Sequence, residues 1–272
     1  MGILGEYILG RLSRDSAVGD YLNEGFESKH NDPSFCISEL KRWFPDIVPQ
    51  IAGKKVLDIG CGEGMEALAL SRMGAALVHG IDIYIDAPRN EAVRKESAGE
   101  ITFSVMDATH TSFQDGEFDA AVTYSAFEHF ADPFAVLKEC VRVVRPGGLI
   151  FLTSSVWAHP YGSHMQFFTK VPWVQYIFSE KTIMTVRKKY RNDGAMRFED
   201  VPGGLNKVGI ASFRRMVKAL DLELPYLKLN AIKQLDALTK IPYVNELFTN
   251  MFIAVMRKRP VPPVANNQPT LR

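Results

Sequence analysis

From Lys55 to Thr153 the apolar positions fall in short runs separated by helix-length stretches and turn residues. Val56, Leu57 and Ile59 form the first run, broken only by Asp58. The loop Gly60-Cys61-Gly62-Glu63-Gly64 follows, and then helix-forming residues. This reads as a buried strand, a tight turn and a helix start. Ala76 to Asp82 is a second strand ending in an acid. Ile101 to Val105 is a third, running into Met106-Asp107-Ala108. Phe118 to Tyr124 is a fourth, leading into Ser125-Ala126-Phe127-Glu128-His129. A helical segment through Val144 and the turn Arg145-Pro146-Gly147-Gly148 precede a fifth strand, Leu149 to Thr153. Strands alternating with helices predict a doubly wound α/β sheet, largely parallel.

Outside this block the pattern changes. Ile37, Leu40, Trp43, Phe44 and Ile47 recur at helical spacing, so residues 1–50 read as a helical extension that either packs on the domain or covers its ligand. Residues 156–208 form an aromatic-rich insertion. Pro172 would open a helix running toward Tyr190, ended by Arg191-Asn192-Asp193-Gly194. A helix from Gly209 to about Leu220, a strand at Leu222 to Leu229 and a last strand at Phe252 to Met256 complete a domain spanning 51–258. Residues 259–272, with Pro260, Pro262 and Pro263 followed by polar residues, read as a disordered tail.

The glycine spacing narrows the ligand. A dinucleotide loop reads G-x-G-x-x-G, whereas here Gly60, Gly62 and Gly64 alternate after Asp58. A carboxylate at that place repels a pyrophosphate and suits a cationic ligand. Asp82 lies 18 positions beyond Gly64, about where a β-α-β unit sets an acid on a ribose. These pieces and their order resemble the class I S-adenosylmethionine-dependent methyltransferases. The resemblance is specific from Ile51 to Ser155 and looser from Gly209 to Lys258. It implies a seven-stranded Rossmann-like sheet with an antiparallel last strand, and S-adenosyl-L-methionine as cofactor. The expected binding set is Asp58, Gly60, Cys61, Gly62, Gly64, Asp82, Ile83, Asp107, Ala108 and Ser125, with Asp107 near the adenine amino group. The insertion leaves the carboxyl edge of the sheet, where ligands sit, and is expected to cap the substrate.

The 272 residues carry a net charge of +1, which gives no global field for nucleic acid. Cys36, Cys61 and Cys140 lack metal-ligand spacing and suit a reduced, cytoplasmic protein. No apolar run approaches the ~20 residues of a membrane span, and no secretory signal is expected at the N-terminus. Lys181, Arg187, Lys188, Lys189 and Arg191 read first as a solvated helix face and second as a surface for an anionic lipid or phosphorylated acceptor.

The expected reaction is methyl transfer to a small molecule or sugar, with oxygen as first choice. An alcohol acceptor must lose a proton. His164 is the preferred base and His129 its alternative, with His159 a third imidazole of the region. His129 has a blander role in ordering the pocket. Glu128-His129 resembles ubiquinone-pathway O-methyltransferases, in which an acid three residues before the Glu helps to hold a metal. Ser125 stands there instead, so no metal is expected. Asn206 could contact substrate or merely cap a helix. The competing reading is a catalytically silent, cofactor-binding partner subunit.

Overall fold

The structure, a computed structural model, describes residues 2–14, 32–201 and 204–260. Residues 261–272 of the expected tail lie outside the described residues. The chain forms α1 (Gly2–Leu12), α2 (Pro33–Trp43), α3 (Ile47–Ile51), β1 (Lys55–Ile59), α4 (Met65–Arg72) and β2 (Leu77–Asp82). Then come α5 (Ala87–Lys95), β3 (Glu100–Val105), β4 (Phe118–Thr123), a 3₁₀ turn (Phe127–His129), α6 (Pro133–Val143) and β5 (Val144–Ser155). The insertion carries α7 (Val174–Ile177) and α8 (Glu180–Arg187). The chain closes with α9 (Ile210–Ala219), β6 (Glu223–Ala231), α10 (Val244–Phe248) and β7 (Thr249–Arg257).

The seven strands lie in the order β3-β2-β1-β4-β5-β7-β6. β1 through β5 pair in parallel, and β7 runs antiparallel between β5 and β6. β5 begins earlier than the turn at Arg145 to Gly148 suggested. Val144 already pairs with Phe118, and a bulge restores register at Leu149 opposite Ala120.

Both faces of the sheet are covered, which is why its strands read as continuous apolar runs. On one face Val56, Val78 and Phe151 pack with Leu40 and Phe44 of the N-terminal segment and Leu68 of α4. On the other, Leu57, Ile59 and Ile150 pack with Leu137 of α6, Phe213 of α9 and Phe252. Aspartates set the helix entries. The side chains of Asp32, Asp86 and Asp132 accept from Ser34, Arg89 and Ala135 amides, each with proline at the first or second helical position.

The insertion has its own core of Met165, Phe167, Phe168, Ile183, Met184 and Phe198, into which α1 inserts Leu9. Thus the N-terminal extension divides. α1 belongs to the cap, tied by a bridge between Ser13 and Thr169, while α2 and α3 belong to the sheet. The single helix expected from Pro172 toward Tyr190 is broken. Trp173 adopts φ 54° and α7 ends at Ile177. Phe178 is extended, and Ser179 caps a new helix by accepting the Thr182 amide. A hydroxyl that offers itself to a backbone N–H favours starting a helix over continuing one. The basic stretch is also not one solvated face: Arg187 is 3% exposed and paired with Asp193, and Arg191 lies over Phe167.

Candidate functional site

β1, β2, β3 and β4 end side by side, and the segments leaving them surround a cavity of 770 Å³. Among the residues expected from the sequence, Gly60, Asp82, Ile83, Asp107, Ala108, Ser125 and His129 line it. Asp58, Cys61, Gly62, Gly64 and His164 are not among its lining residues. Met106, Thr109, Ala126 and Phe130 complete one side, and Glu199, Gly204, Asn206 and Lys207 of the insertion close the other. The insertion residues carry no periodic signal of their own.

The glycine loop is shaped by packing as much as by ligand access. Gly60 has φ +74°, and a Cβ there would lie 2.6 Å from the Ala126 methyl. Gly64 has φ +86°, and a Cβ would meet the Phe103 ring at 2.6 Å. Only glycine allows both the left-handed backbone and the approach. Asp82 ties this loop to β2. Its Oδ2 accepts from the Gly62 amide at 2.9 Å and its Oδ1 from Tyr84 at 3.2 Å. A carboxylate accepts about four hydrogen bonds, so capacity remains on the cavity side. Asp107 Oδ1 accepts from the Thr109 amide and hydroxyl at 2.8 and 2.7 Å. Those hydrogen bonds hold its carboxyl below the ordinary value. Ile83 is 80% exposed on the rim, an apolar side chain in the open beside two carboxylates.

Beneath the loop, Asp58 is fully buried with Oδ2 unpartnered. Burial, then the charges of Glu66 and Asp82, push its carboxyl well up. Cys61 is buried and its thiol is likewise pushed up by burial.

The loop after β4 is held from both ends. Ser125, at φ 51°, donates its amide to Thr153 Oγ1 at 2.8 Å. Asn206 spans the other end: its Nδ2 donates to the Phe127 and Phe130 carbonyls at 2.7 and 2.9 Å, and its amide to Glu128. Asn206, which also lines the cavity, thus clasps this loop. His129 Nδ1 donates to the Gly204 carbonyl at 2.8 Å. A carbonyl can only accept, so Nδ1 carries the proton and the neutral ring keeps its lone pair on Nε2.

Edge to face with His129 stands His164, ring centroids 5.5 Å apart. His164 lines a second cavity of 370 Å³, with Ser155, His159, Gln166, Lys170 and Asn250. Burial holds the His164 imidazole below its ordinary value; the Glu128 carboxylate works against this and His129 adds to it. His159 is pushed down to about 4, by burial and then by His164. Glu128 is itself buried with Oε2 unpartnered. Among the described residues, no group of three or more His, Cys, Asp or Glu is arranged to hold a metal ion.

The comparisons with known proteins agree with this architecture. Residues 57–152 match the family described as the methyltransferase domain. A ubiquinone biosynthesis O-methyltransferase of Thiobacillus denitrificans is 36% identical over 124 residues, covering 45% of this chain and 53% of the relative. The O-methyltransferase cnsE of Penicillium expansum is 29% identical over 149 residues, covering 53% of this chain and 54% of the relative. The chain thus spans about half the length of these curated relatives. A methyltransferase structure from Methanosarcina mazei superposes with TM-score 0.53 at 21% identity, covering 80% of this chain and 99% of that one. One from Mesorhizobium loti superposes with TM-score 0.55 at 14% identity, covering 83% and 98%.

Residues 57–152 thus match a methyltransferase domain, and the seven-stranded sheet has the fold of solved S-adenosylmethionine-dependent methyltransferases. Among the described residues, no helix is long and apolar enough to cross a membrane.

Proposed function

We propose that this chain transfers a methyl group from S-adenosylmethionine to an oxygen of a small-molecule acceptor, with His129 accepting the proton. The cavity residues suit that cofactor. Asp82 offers free acceptor capacity to the two ribose hydroxyls, and Asp107 Oδ2 can take the adenine amino group. Ile83, Met106, Ala108 and Phe130 supply apolar surface for the base. Gly60 and Ser125 flank the methionine end. Asp58, buried with Oδ2 unpartnered, offers a polar group next to the loop. No cation stands in the cavity wall where a pyrophosphate would need one, apart from Lys207 on the insertion.

When bound, the cofactor supplies a methyl group already activated on a sulfonium, so positioning of the acceptor contributes much of the rate. The chain's part is to orient the acceptor and remove its proton. One observation carries this reading. His129 lines the cofactor cavity with Nε2 free to accept, and the ring touching it, His164, lines a second, polar cavity. We place the acceptor there, with its reacting hydroxyl at His129. This reverses the order read from the sequence, where His164 came first. Burial disfavours a charged His164, which suits a hydrogen-bonding wall better than a proton acceptor. Both relatives, named as O-methyltransferases, support oxygen as the acceptor atom.

The test is formation of S-adenosylhomocysteine by the purified chain against a panel of phenols, catechols and sugars. Turnover that appears with a hydroxylated acceptor and is lost in His129→Ala supports the proposal. Tight cofactor binding without turnover on any acceptor would favour the silent-subunit reading.

A further inference from the structure

α1 is apolar nearly all round. Such a helix is ordinarily buried on every side, yet only Gly5 and Leu9 face the protein. A Cβ on Gly5 would touch Thr182 at 3.4 Å and Phe178 at 3.7 Å, so the helix lies directly on the cap. Ile3 is 88% exposed, Leu4 68% and Tyr7 65%, with Ile8 and Leu12 exposed beside them. Next to Phe178, the cap adds exposed Tyr176 and Ile177. Isolated exposed apolar residues need no explanation, but a continuous patch of this kind marks an interaction surface.

The rim of the patch is basic. Arg11 and Arg14 follow along α1, and Lys181, Lys188 and Lys189 stand exposed on and after α8. Lys189 Nζ reaches within 3.7 Å of where a Gly10 Cβ would be. Among the described residues none of these five forms an ion pair, in contrast to Arg187 beside them. Glu6 is the sole acid of α1.

We propose that this face docks on an anionic lipid bilayer surface, with α1 lying in the plane of the headgroups. An in-plane helix presents apolar side chains to the acyl boundary and cations to lipid phosphates, and tyrosine suits the boundary because one end of its ring is wet. Charge selects the lipid over a second copy of this chain. A twofold contact through the patch would bring its own lysines and arginines against each other, whereas anionic headgroups neutralise them. None of the patch residues lines either cavity, and the proposal stands independently of the methyl-transfer reading.

The experiment is vesicle flotation of the purified full chain. The vesicles are phosphatidylcholine alone, or phosphatidylcholine and phosphatidylglycerol in equal parts. Binding is expected to the anionic vesicles, to weaken with salt, and to be absent from the neutral ones. Leu4→Asp should abolish it. Lys181→Glu combined with Lys189→Glu should weaken it by at least ~5-fold per position, since each cation near such a surface contributes about a factor of five. These positions are exposed, so thermal melting should stay near wild type and separate lost docking from lost folding. No flotation with anionic vesicles, or flotation unchanged in Leu4→Asp, would overturn the proposal. So would a concentration-dependent dimer in sedimentation that Leu4→Asp disperses, which would assign the face to a second copy.

Discussion

His129 and His164 meet edge to face with ring centroids 5.5 Å apart, one lining the cavity at the ends of β1 to β4 and the other a second cavity. Because Nδ1 of His129 is committed to the Gly204 carbonyl, its Nε2 is the lone pair available to an acceptor. His129→Ala is therefore expected to lower kcat by about 10²–10⁴, the usual cost of losing a general base, while the affinity for S-adenosylhomocysteine changes little. His164→Ala should raise the acceptor KM more than it lowers kcat. Steady-state kinetics of both variants check this; a kcat loss confined to His164→Ala would exchange the roles.

Asn206 should matter to the site without touching the reaction. Its side-chain amide holds the Phe127 and Phe130 carbonyls on either side of His129. Asn206→Ala strips both acceptors and is expected to cost about 1–3 kcal/mol of stability, as buried polar groups lose partners. Cofactor affinity should fall with it, because Phe130 and Ser125 share the loop. Urea unfolding and calorimetry read the two effects, and an unchanged variant would mean the clasp is dispensable.

The cap holds a buried ion-pair cation. Arg187 is buried and donates both Nη groups to Asp193, whose carboxyl is held down to about 2 by those hydrogen bonds. Asp193→Ala leaves a buried, uncompensated guanidinium, a change that typically costs about 3–5 kcal/mol. Proteolysis of the insertion should become much faster in this variant while the sheet domain resists. Equal resistance in variant and wild type would contradict the assignment.

Stability should fall in mild acid through the buried imidazoles. His159 titrates at about 4 in the folded chain, against an ordinary value of 6.5. The unfolded chain thus binds the proton first as pH falls. Stability from this group is complete above about pH 6.5, declines toward pH 4 and is flat below. The full extent is about 3 kcal/mol, at 1.36 kcal/mol per unit. Asp193 and Glu139, both held near 2, lose their contributions only at lower pH. His159→Asn should flatten the slope between pH 6.5 and 4, measured by urea titration. An unaltered slope would show that His159 is not buried neutral.

What the sequence revealed follows from where local rules suffice. The run Val56-Leu57 lies inside β1, Asp82 ends β2 and Asp107 follows β3, positions that hydrophobic periodicity and chain order fix. Asp58 and Gly64 follow the same local pattern but do not line the cavity, because which side of a turn a residue faces depends on neighbours such as Phe103. The cap was legible only as an aromatic insertion. Its helix break at Phe178 to Ser179, the burial of Arg187 and the Gly204 contact to His129 are long-range or context-dependent, and no periodicity encodes them. The attachment of α1 to the cap was equally hidden, since it joins segments more than a hundred residues apart.

The central claim is that the cavity at the ends of β1 to β4 takes S-adenosylmethionine through Asp82 and its neighbours. Calorimetric titration with S-adenosylhomocysteine, on wild type and Asp82→Ala, tests it most directly. Losing a charge-assisted hydrogen bond costs about 1.5–3 kcal/mol. The variant should therefore bind roughly ten- to a hundredfold more weakly while remaining folded, and NAD should bind poorly to both. Equal affinity in wild type and a folded Asp82→Ala, or tight NAD binding with no heat from S-adenosylhomocysteine, would contradict the account.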